Sequence, residues 1–323
     1  MNQPIRLGFV VKVLGRAGLK EHDSRRWQNN PHLSVSLAYL RDIFEYLRSQ
    51  RIGMYRMSSD LAPYASHPDM PQFHNQLDDC AAELALMGDL AREIRLRLSF
   101  HPSQYIILNS ADEALTARSV WDLRLQAEML ERMGLGPEAV VVLHVGGVYD
   151  GHEPARERFV RRYESLPDAV RRRLVLENDD VRFGVQDIAW IHARTGVRLV
   201  FDNLHHHNHN PDQMPLSDAL ALCLATWPVD VRPKIHFSSP RTEMRIIERQ
   251  DKATGKRVEE LQQPVWTRHS DFIHPFEFID FLRAADGLRP FDVMLECKAK
   301  DLALLRLRDD LARYAPDLRE RVT

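Results

Sequence analysis

The sequence contains few cysteines, and the three that it has stand far apart. Cys80, Cys223 and Cys297 are odd in number, which excludes a framework in which every cysteine is paired. None of them belongs to a CxxC pair, so a zinc site made of thiolates is not expected. Scattered free thiols are typical of proteins that stay in the reducing cytoplasm, and we expect a cytoplasmic location.

Long apolar runs are also missing. No stretch of about 18 or more apolar residues occurs, so we expect no segment that spans a membrane and no membrane partner. The first residues, Met1–Arg6, show no basic region followed by an apolar segment and a cleavage site. We therefore expect no secretory signal.

The sequence has no excess of positive charge. It carries 44 lysines and arginines against 46 aspartates and glutamates, which gives a net charge of −2. Proteins that bind nucleic acid electrostatically are often basic, so any such contact here must be a local patch. Basic clusters occur at 25–26, 161–162, 171–173 and 241–257, and each of them taken alone is most simply a solvated surface.

The dominant pattern is an alternation of short β-branched runs with longer amphipathic ones, which predicts βα units and a parallel sheet. The predicted strands are Ile5–Val11, Ile52–Met57, Leu96–His101, Val140–Val145, Leu174–Glu177, Arg198–Asp202, Lys234–Ser238 and Asp292–Cys297. The predicted helices are Ser34–Arg48, Leu77–Glu93, Ala117–Met133, Gly184–Arg194, Leu216–Leu224, Pro275–Arg283 and Leu302–Leu318, with a weaker pattern over Glu153–Val170.

Eight such units predict an α/β fold, a (β/α)8 TIM barrel that forms a single domain over residues 1–323. An open doubly wound sheet is the alternative, but no glycine-rich loop follows the first strand. The segment 240–268 does not fit the βα rhythm, because it alternates, turns at Asp251-Lys252-Ala253-Thr254-Gly255 and alternates again. It is predicted to be a hairpin inserted after strand seven.

Seven of the eight predicted strands lead to a histidine, aspartate or glutamate at the barrel rim where chemistry takes place. Close carboxylates and imidazoles without counter-ions would repel or be poorly solvated, and divalent cations resolve that problem. Imidazoles with carboxylates suit zinc, manganese or iron. The candidates exceed one tetrahedral site, so we expect two or three metals. They are His67, His101, His144, Glu177, Asp202, His205, His236 and Glu296.

Two spacings sharpen this expectation. Asp202-x-x-His205 places one candidate at a strand end and the other in the turn that follows. Lys234-x-His236 directs both side chains into the barrel, because side chains alternate along a strand. A lysine beside metals is unusual, and a salt bridge to a carboxylate is the equally simple interpretation.

These motifs, in this order, resemble the UV damage endonuclease family, barrel enzymes related to endonuclease IV. The resemblance covers nearly the whole chain. It is carried by 5–9, Arg56-x-Ser58-Ser59, Ser66-His67-Pro68, His101-Pro102-Ser103-Gln104-Tyr105, 143–147, 176–179, 202–206, 233–236, His269-Ser270-Asp271-Phe272 and Glu296-Cys297-Lys298.

The resemblance implies a ligand set for three divalent ions, with manganese favoured over zinc, cobalt or magnesium. The implied ligands are His67, His101, His144, Glu177, Asp202, His205, His236, His269 and Glu296. Glu177 and Lys234 would be catalytic, Lys234 in a carboxylated form. Gln104 and Tyr105 would wedge into the duplex, and Phe9, Arg56 and Ser58 would contact the lesion or the DNA.

The resemblance also implies the reaction. A monomer at the nucleoid would nick damaged double-stranded DNA directly 5′ of cyclobutane dimers and 6-4 products, leaving 3′-hydroxyl and 5′-phosphate ends. The damaged bases would be flipped into the cleft, which costs least where stacking is already weak. Phe9, Ser36, Arg48 and the long insertion depart from the family pattern, which bears on lesion preference.

Three other functions compete with this one. An abasic-site endonuclease resembling endonuclease IV shares the fold and the metals, but the Gln104-Tyr105 pair favours the UV family. A metal-dependent sugar isomerase needs fewer histidine ligands. A non-catalytic protein that binds damaged DNA would not need a complete multi-metal rim.

Overall fold

The computed structural model describes residues 4–251 and 253–323. Twelve strands occur in this part of the chain. They are Leu7–Val10 (β1), Met54–Arg56 (β2), Arg97–Phe100 (β3), Val140–His144 (β4), Leu174–Glu177 (β5), Arg198–Val200 (β6), Lys234–Phe237 (β7), Pro240–Arg241 (β8), Arg245–Gln250 (β9), Arg257–Gln262 (β10), Val265–His269 (β11) and Asp292–Leu295 (β12).

Eight of these strands form one parallel sheet in the order β6-β5-β4-β3-β2-β1-β12-β7. The two outer strands meet through a bridge between Asp202 and His236, where the His236 amide donates to the carbonyl of Phe201 over 2.9 Å. The sheet is thereby closed into a cylinder, and the predicted TIM barrel is confirmed.

Helices surround the barrel. They are Leu33–Ser49 (α1), Gln76–Asp79 (α2), Ala81–Glu93 (α3), Glu113–Arg132 (α4), His152–Glu164 (α5), Asp168–Arg173 (α6), Val185–Thr195 (α7), Asn203–Asn208 (α8), Leu216–Ala225 (α9), Pro275–Ala284 (α10), Lys300–Tyr314 (α11) and Pro316–Arg319 (α12). Single 3-10 turns occur at Trp27–Asn29 and Pro71–Phe73. None of the described helices has the combination of length and apolar character needed to cross a bilayer.

The helices differ from the predicted ones at positions with local causes. The predicted helix Leu77–Glu93 is interrupted at Cys80, whose backbone (φ −112°, ψ 25°) is not helical. The pattern over Glu153–Val170 forms two helices, α5 and α6, because Pro167 stands between them. Helix α4 begins earlier than predicted, since the Asp112 carboxylate caps the amides of Ala114 and Leu115.

Side-chain alternation divides the strands between two environments. Outward residues such as Leu7, Phe9 and Leu98 join the large core between barrel and helices. Inside the barrel, four valines of β4, β5 and β6 pack with Trp227 and Val231 below the rim. Above this apolar layer, the strand ends carry polar side chains toward the C-terminal opening.

The opposite end of the barrel is closed by buried charges around Asp292. Its Oδ2 atom accepts hydrogen bonds from the guanidinium groups of Arg97 and Arg6, each over 2.9 Å, and the Arg232 guanidinium lies 3.0 Å from Oδ1. Arg97 and Asp292 have no exposed side-chain surface. The Asp292 carboxylate thus lies among three arginines, of which Arg6 also pairs with Glu138 over 2.6 Å.

The segment after β7 contains two antiparallel pairs rather than one. β8 pairs with β11 at the barrel rim, and β9 pairs with β10 over six residue pairs from Arg245↔Gln262 to Gln250↔Arg257. We call the β9–β10 pair the ribbon. Lys252, in the turn predicted from the sequence, lies outside the described residues.

Candidate metal centre

Glu177, at the end of β5, lies at the centre of the residues that converge at the C-terminal opening. One of its oxygens, Oε1, is 2.7 Å from Nδ1 of His236 and 3.5 Å from Nδ1 of His205. The other, Oε2, is 3.1 Å from Nε2 of His101 and 3.6 Å from Nε2 of His144. Four strand ends therefore direct imidazoles at one buried carboxylate.

Glu296, which follows β12, extends this cluster on one side. Its Oε1 atom is 3.1 Å from Nδ1 of His236 and accepts a short hydrogen bond from the guanidinium of Arg56. The same guanidinium contacts Nε2 of His236 at 2.9 Å. His269, at the end of β11, has its Nδ1 atom 3.8 Å from Oε2 of Glu296.

Asp202 and His205 extend the cluster on the other side. The Asp202 side chain caps the short helix α8 by accepting from the His205 amide over 2.8 Å. This cap turns the chain so that the ring of His205 faces Glu177, and the ring is fixed by a 2.9 Å contact between its Nδ1 and the Asn178 carbonyl. In the Asp-x-x-His spacing of the sequence, Asp202 is thus the N-cap of α8 and His205 lies in its first turn.

The charges of the cluster depend on one another. Burial alone would raise the pKa of Glu177, but the imidazoles of His236 and His144 hold it well below its ordinary value. The pKa of Glu296 is likewise well below normal, because Arg56 and His236 offset the effect of burial. Burial lowers the pKa of His236 to about 3. Both carboxylates are therefore ionised, and His236 is a neutral imidazole.

The Asp202–His205 side of the cluster behaves differently. Burial raises the pKa of Asp202, and nearby Glu177 raises it further. Burial would lower the pKa of His205, but Asp202 and Glu177 together raise it to about 9. Negative charge is thus in excess here, and a proton on His205 balances part of it.

The residues present fit divalent metal ions. Three groups bring their donor atoms within 4.8 Å of one another: His101–His144–Glu177, Glu177–Asp202–His205 and Glu177–His236–Glu296. Two buried donor atoms, Nδ1 of His144 and Oδ2 of Asp202, have no hydrogen-bond partner among the described residues. Unpartnered buried polar atoms are costly, and imidazole with carboxylate is the donor set of manganese, zinc or iron sites.

Two of the residues expected as ligands stand apart from these groups. His67 lies on the loop after β2, where its Nδ1 accepts from the Asp69 amide over 3.3 Å and its carbonyl contacts Nε2 of His74 at 2.8 Å. His269 reaches the edge of the cluster through Glu296 and faces His205 with 6.0 Å between ring centroids. The structure places seven of the nine expected ligands in the three groups.

Lys234 lies one layer below the carboxylates and is fully buried. Its amine donates to Oγ of Ser99 over 3.0 Å, and among the described residues it makes no ion pair, so the salt bridge considered from the sequence does not form. Burial, together with Arg56 and Arg97, holds the pKa of this amine well below its ordinary value. Burial therefore favours the neutral form of the Lys234 amine.

Three residues expected to contact the lesion or DNA have other surroundings. Phe9 is fully buried and packs edge to face on Tyr55 outside the barrel, so it cannot reach DNA without leaving the core. Arg56 is buried against Glu296, which makes it a partner of the metal candidates instead of a surface contact. Ser58 is buried with its hydroxyl 3.1 Å from Nδ1 of His22.

A cleft of about 370 Å³ leads from the surface to His101, His144 and His205. The loop after β3 forms one wall with Gln104, and the next residue on this loop, Tyr105, has a side chain that is 72% exposed. The loop after β5 forms the opposite wall, which includes Val181 with 64% of its surface exposed. Exposed apolar side chains on both sides of a polar opening indicate a surface that a ligand covers.

The β5 loop was not expected to be part of the site. Asp179 holds it rigid, because its Oδ1 atom accepts from the amides of Val181 and Arg182 while its own amide donates to the Phe183 carbonyl. An aspartate that bonds the amide two residues on is an Asx turn, a signal that the sequence Asn178-Asp179-Asp180 contains.

The chain is similar to UV endonucleases along most of its length. The model of the family UV-endonuclease UvdE matches residues 20–319. "UV DNA damage endonuclease" of Bacillus velezensis is 32% identical over 294 residues, which cover 90% of this chain and 85% of that protein. The protein of the same name from Halalkalibacterium halodurans is 33% identical over 267 residues, which cover 82% and 76%.

Solved structures agree with this similarity. The crystal structure of SacUVDE superposes with a TM-score of 0.79 at 32% identity and covers 96% of this chain and 98% of that one. The 3-keto-D-glucoside 4-epimerase YcjR from E. coli superposes with a TM-score of 0.53 at 12% identity, covering 96% and 98%, which shows a shared barrel alone. The chain belongs to the UV-endonuclease UvdE family.

Proposed function

We propose that the protein is a metal-dependent endonuclease that nicks double-stranded DNA directly 5′ of UV photoproducts, leaving 3′-hydroxyl and 5′-phosphate ends. The observation that carries the proposal is the ionised Glu177 within reach of four imidazoles at the base of an open cleft. Membership of the UV-endonuclease family supports the choice of substrate.

The three groups around Glu177 would hold the metals, with His67 and His269 as further ligands, and three manganese ions are the expected content. Divalent ions in such a site supply a hydroxide nucleophile near neutral pH and neutralise charge on the phosphate. Glu177 belongs to all three groups, so it is the residue best placed to set the spacing between ions.

The remaining polar residues hold these ligands in place. Arg56 fixes Glu296 and borders His236, so it keeps one carboxylate oriented and ionised. Asn178 fixes His205 through its carbonyl and accepts, with its side chain, from the Asp202 amide over 2.9 Å. Partners of this kind fix the ring orientation and tautomer of a metal-binding histidine.

Lys234 would act as a carboxylated lysine. A neutral amine is the form that attacks carbon dioxide, which creates an N–C bond and releases one proton. The product is an anionic carbamate. The uncharged amine beneath the metal groups would thus become a negatively charged group. The low pKa that burial imposes on Lys234 supports this proposal, because it keeps the amine in the reactive form.

The cleft would receive the lesion. Tyr105 and Gln104 are exposed on a loop that borders it, where they could enter the base stack beside the damaged site. Val181 on the opposite wall would contact the other side of the distorted duplex. A photodimer stacks poorly, so opening the helix there costs less than in intact DNA.

A nicking assay tests the proposed function. The purified protein with Mn²⁺ would be incubated with end-labelled duplexes that carry one cyclobutane dimer, one abasic site or no lesion. A cut directly 5′ of the dimer, lost on adding EDTA, is expected. Cutting at the abasic site alone would assign the protein an abasic-site activity, and no cutting of any duplex would contradict an endonuclease function.

A further inference from the structure

The base of the ribbon carries three cations close to the candidate metal centre. Arg245 begins β9, Arg268 immediately precedes His269, and Lys298 follows Glu296 by two residues. Backbone hydrogen bonds hold the last two segments side by side, because the Lys298 amide donates to the Ser270 carbonyl and the Ala299 amide to the Asp271 carbonyl, over 3.1 and 2.9 Å. We call Arg245, Arg268 and Lys298 the ribbon-base patch.

The positive charge of this patch is only partly balanced. Asp271 pairs with Arg245 over 2.6 Å. Arg268 and Lys298 are exposed, and in residues 4–251 and 253–323 neither side chain makes an ion pair or a hydrogen bond. Two cations without partners beside a candidate phosphodiester-cleaving centre attract an anion.

The ribbon extends outward from this patch with both of its faces largely exposed. Ile246 and Leu261 are cross-strand partners on one face, and they are 70% and 55% exposed. Paired strands of this length reach about 20 Å, and an isolated two-stranded ribbon is only marginally stable in water. The same face carries the cross-strand pair Glu248 and Glu259, so positive charge is not in excess there.

We propose that the ribbon-base patch binds the phosphate backbone of the DNA duplex outside the incision site. The proposal rests on the proposed function, since it takes DNA as the substrate of the neighbouring centre. It adds a contact surface that is separate from the cleft of Gln104 and Val181.

Three observations favour DNA over a protein partner. The two unpaired cations are exposed at the ribbon base, where phosphates could approach them. The patch adjoins His269 and Glu296, so a duplex held at the centre passes beside it. Membership of the UV-endonuclease UvdE family makes DNA the expected substrate of the neighbouring centre.

The test measures binding to an undamaged duplex of about 30 base pairs over a range of salt concentrations. The metal-loaded protein is compared with the double variant Arg268→Gln/Lys298→Gln. The slope of log K against log[salt] is expected to fall by about 2 and the affinity by about tenfold, since each lost phosphate contact releases about one counter-ion fewer. Arg172→Gln, an exposed arginine before β5, serves as the matched control and leaves both values unchanged.

An unchanged slope and affinity in the double variant would overturn the inference, even if the wild-type protein nicks damaged DNA normally. A wild-type protein that neither binds nor nicks DNA would instead contradict the proposed function. If the double variant loses metal, the single variant Arg245→Gln tests the patch instead, and its slope of log K against log[salt] is expected to fall by about 1.

Discussion

The Oε1 atom of Glu177 lies 2.7 Å from Nδ1 of His236, and neither side chain has any exposed surface. The pair joins β5 to β7 across the barrel opening. Because Glu177 also contacts His101, His144 and His205 at 3.1 to 3.6 Å, its charge is shared by residues from five strand ends, including its own.

Glu177→Gln tests the central carboxylate. The substitution keeps the shape of the side chain but removes the negative charge common to all three donor groups, so incision of dimer-containing DNA is expected to fall by about a thousandfold or more. Single-turnover incision rates and metal content measure the effect. Glu157→Gln, on the exposed face of α5, should retain normal activity, and an active, normally folded Glu177→Gln protein would remove this residue from the mechanism.

Metal binding is expected to stabilise the fold. An ion that binds the native state alone adds stability that grows with its concentration over Kd, by about 2.7 kcal/mol at a hundredfold excess. Added Mn²⁺ should therefore raise the Tm of the EDTA-treated protein in a concentration-dependent way. Asp202→Ala should weaken this response, since it removes a donor with an unpartnered oxygen. A Tm that Mn²⁺ does not change would argue against a structural metal cluster here.

Tyr105→Ala tests the exposed wall of the cleft. The side chain packs on little of the protein, so stability should hardly change, whereas loss of stacking on bases should weaken binding of damaged duplex by about ten- to a hundredfold. Competition binding with damaged and intact duplexes measures this difference. Tyr314→Ala, at the exposed end of α11 outside the cleft, is the matched control. Equal behaviour of the two variants would place Tyr105 outside the DNA contact.

Asp292→Ala tests the closed end of the barrel. Its removal leaves the fully buried Arg97 without its carboxylate partner, whereas Arg6 keeps Glu138, and breaking a buried ion pair costs about 3–5 kcal/mol. Denaturant unfolding at pH 7 should show a loss of that size. Asp286→Ala, which breaks an exposed pair with Arg321, should lower the free energy of unfolding by less than about 1 kcal/mol. If Asp292→Ala lowers the free energy of unfolding no more than Asp286→Ala does, the barrel end tolerates Arg97 without this carboxylate.

Asp122→Asn tests a half-buried carboxyl on α4. Burial, together with nearby Asp60, raises the pKa of Asp122 to about 6, although it accepts from Ser66 and Gln126. A raised pKa means that the folded state favours the protonated form, so wild-type stability falls as pH rises from about 4 through 6. The variant should match the wild type near pH 4 and exceed it by about 2 kcal/mol at pH 7.

Unfolding measured across this pH range, with the exposed Asp309→Asn as control, checks the prediction for Asp122. A constant difference between Asp122→Asn and the wild type at every pH would exclude a titration of Asp122 as its cause.

The sequence predicts the barrel and most of the candidate centre because both follow from simple periodicity. Parallel strands bring their C-terminal ends to one rim, and a period of two decides which side chains point inward. Lys234, His236 and Glu296 could be placed in this way. The same rule places Phe9 outside the barrel, because its neighbours Gly8 and Val10 face inward. The Gly8 position leaves no room for a side chain, since a Cβ there would meet the Met54 carbonyl at 2.7 Å.

Features that depend on distant partners could not be predicted from the sequence. Arg56 contacts Glu296, 240 residues away, and no local pattern reveals such a pairing. The loop that carries His67 follows no period, so the distance of His67 from the other ligands was not predictable. The short helix α8 is fixed by its Asp202 cap, which is hard to recognise in the sequence because a run of histidines follows it.

The bridge between Asp202 and His236 closes the barrel at two residues that also belong to the candidate metal centre. Both residues belong to the donor groups around Glu177, and their backbones make the joint between β6 and β7. A molecule whose cylinder has opened there also has its donors pulled apart. Opening of the barrel between β6 and β7 would therefore also disassemble the candidate metal centre.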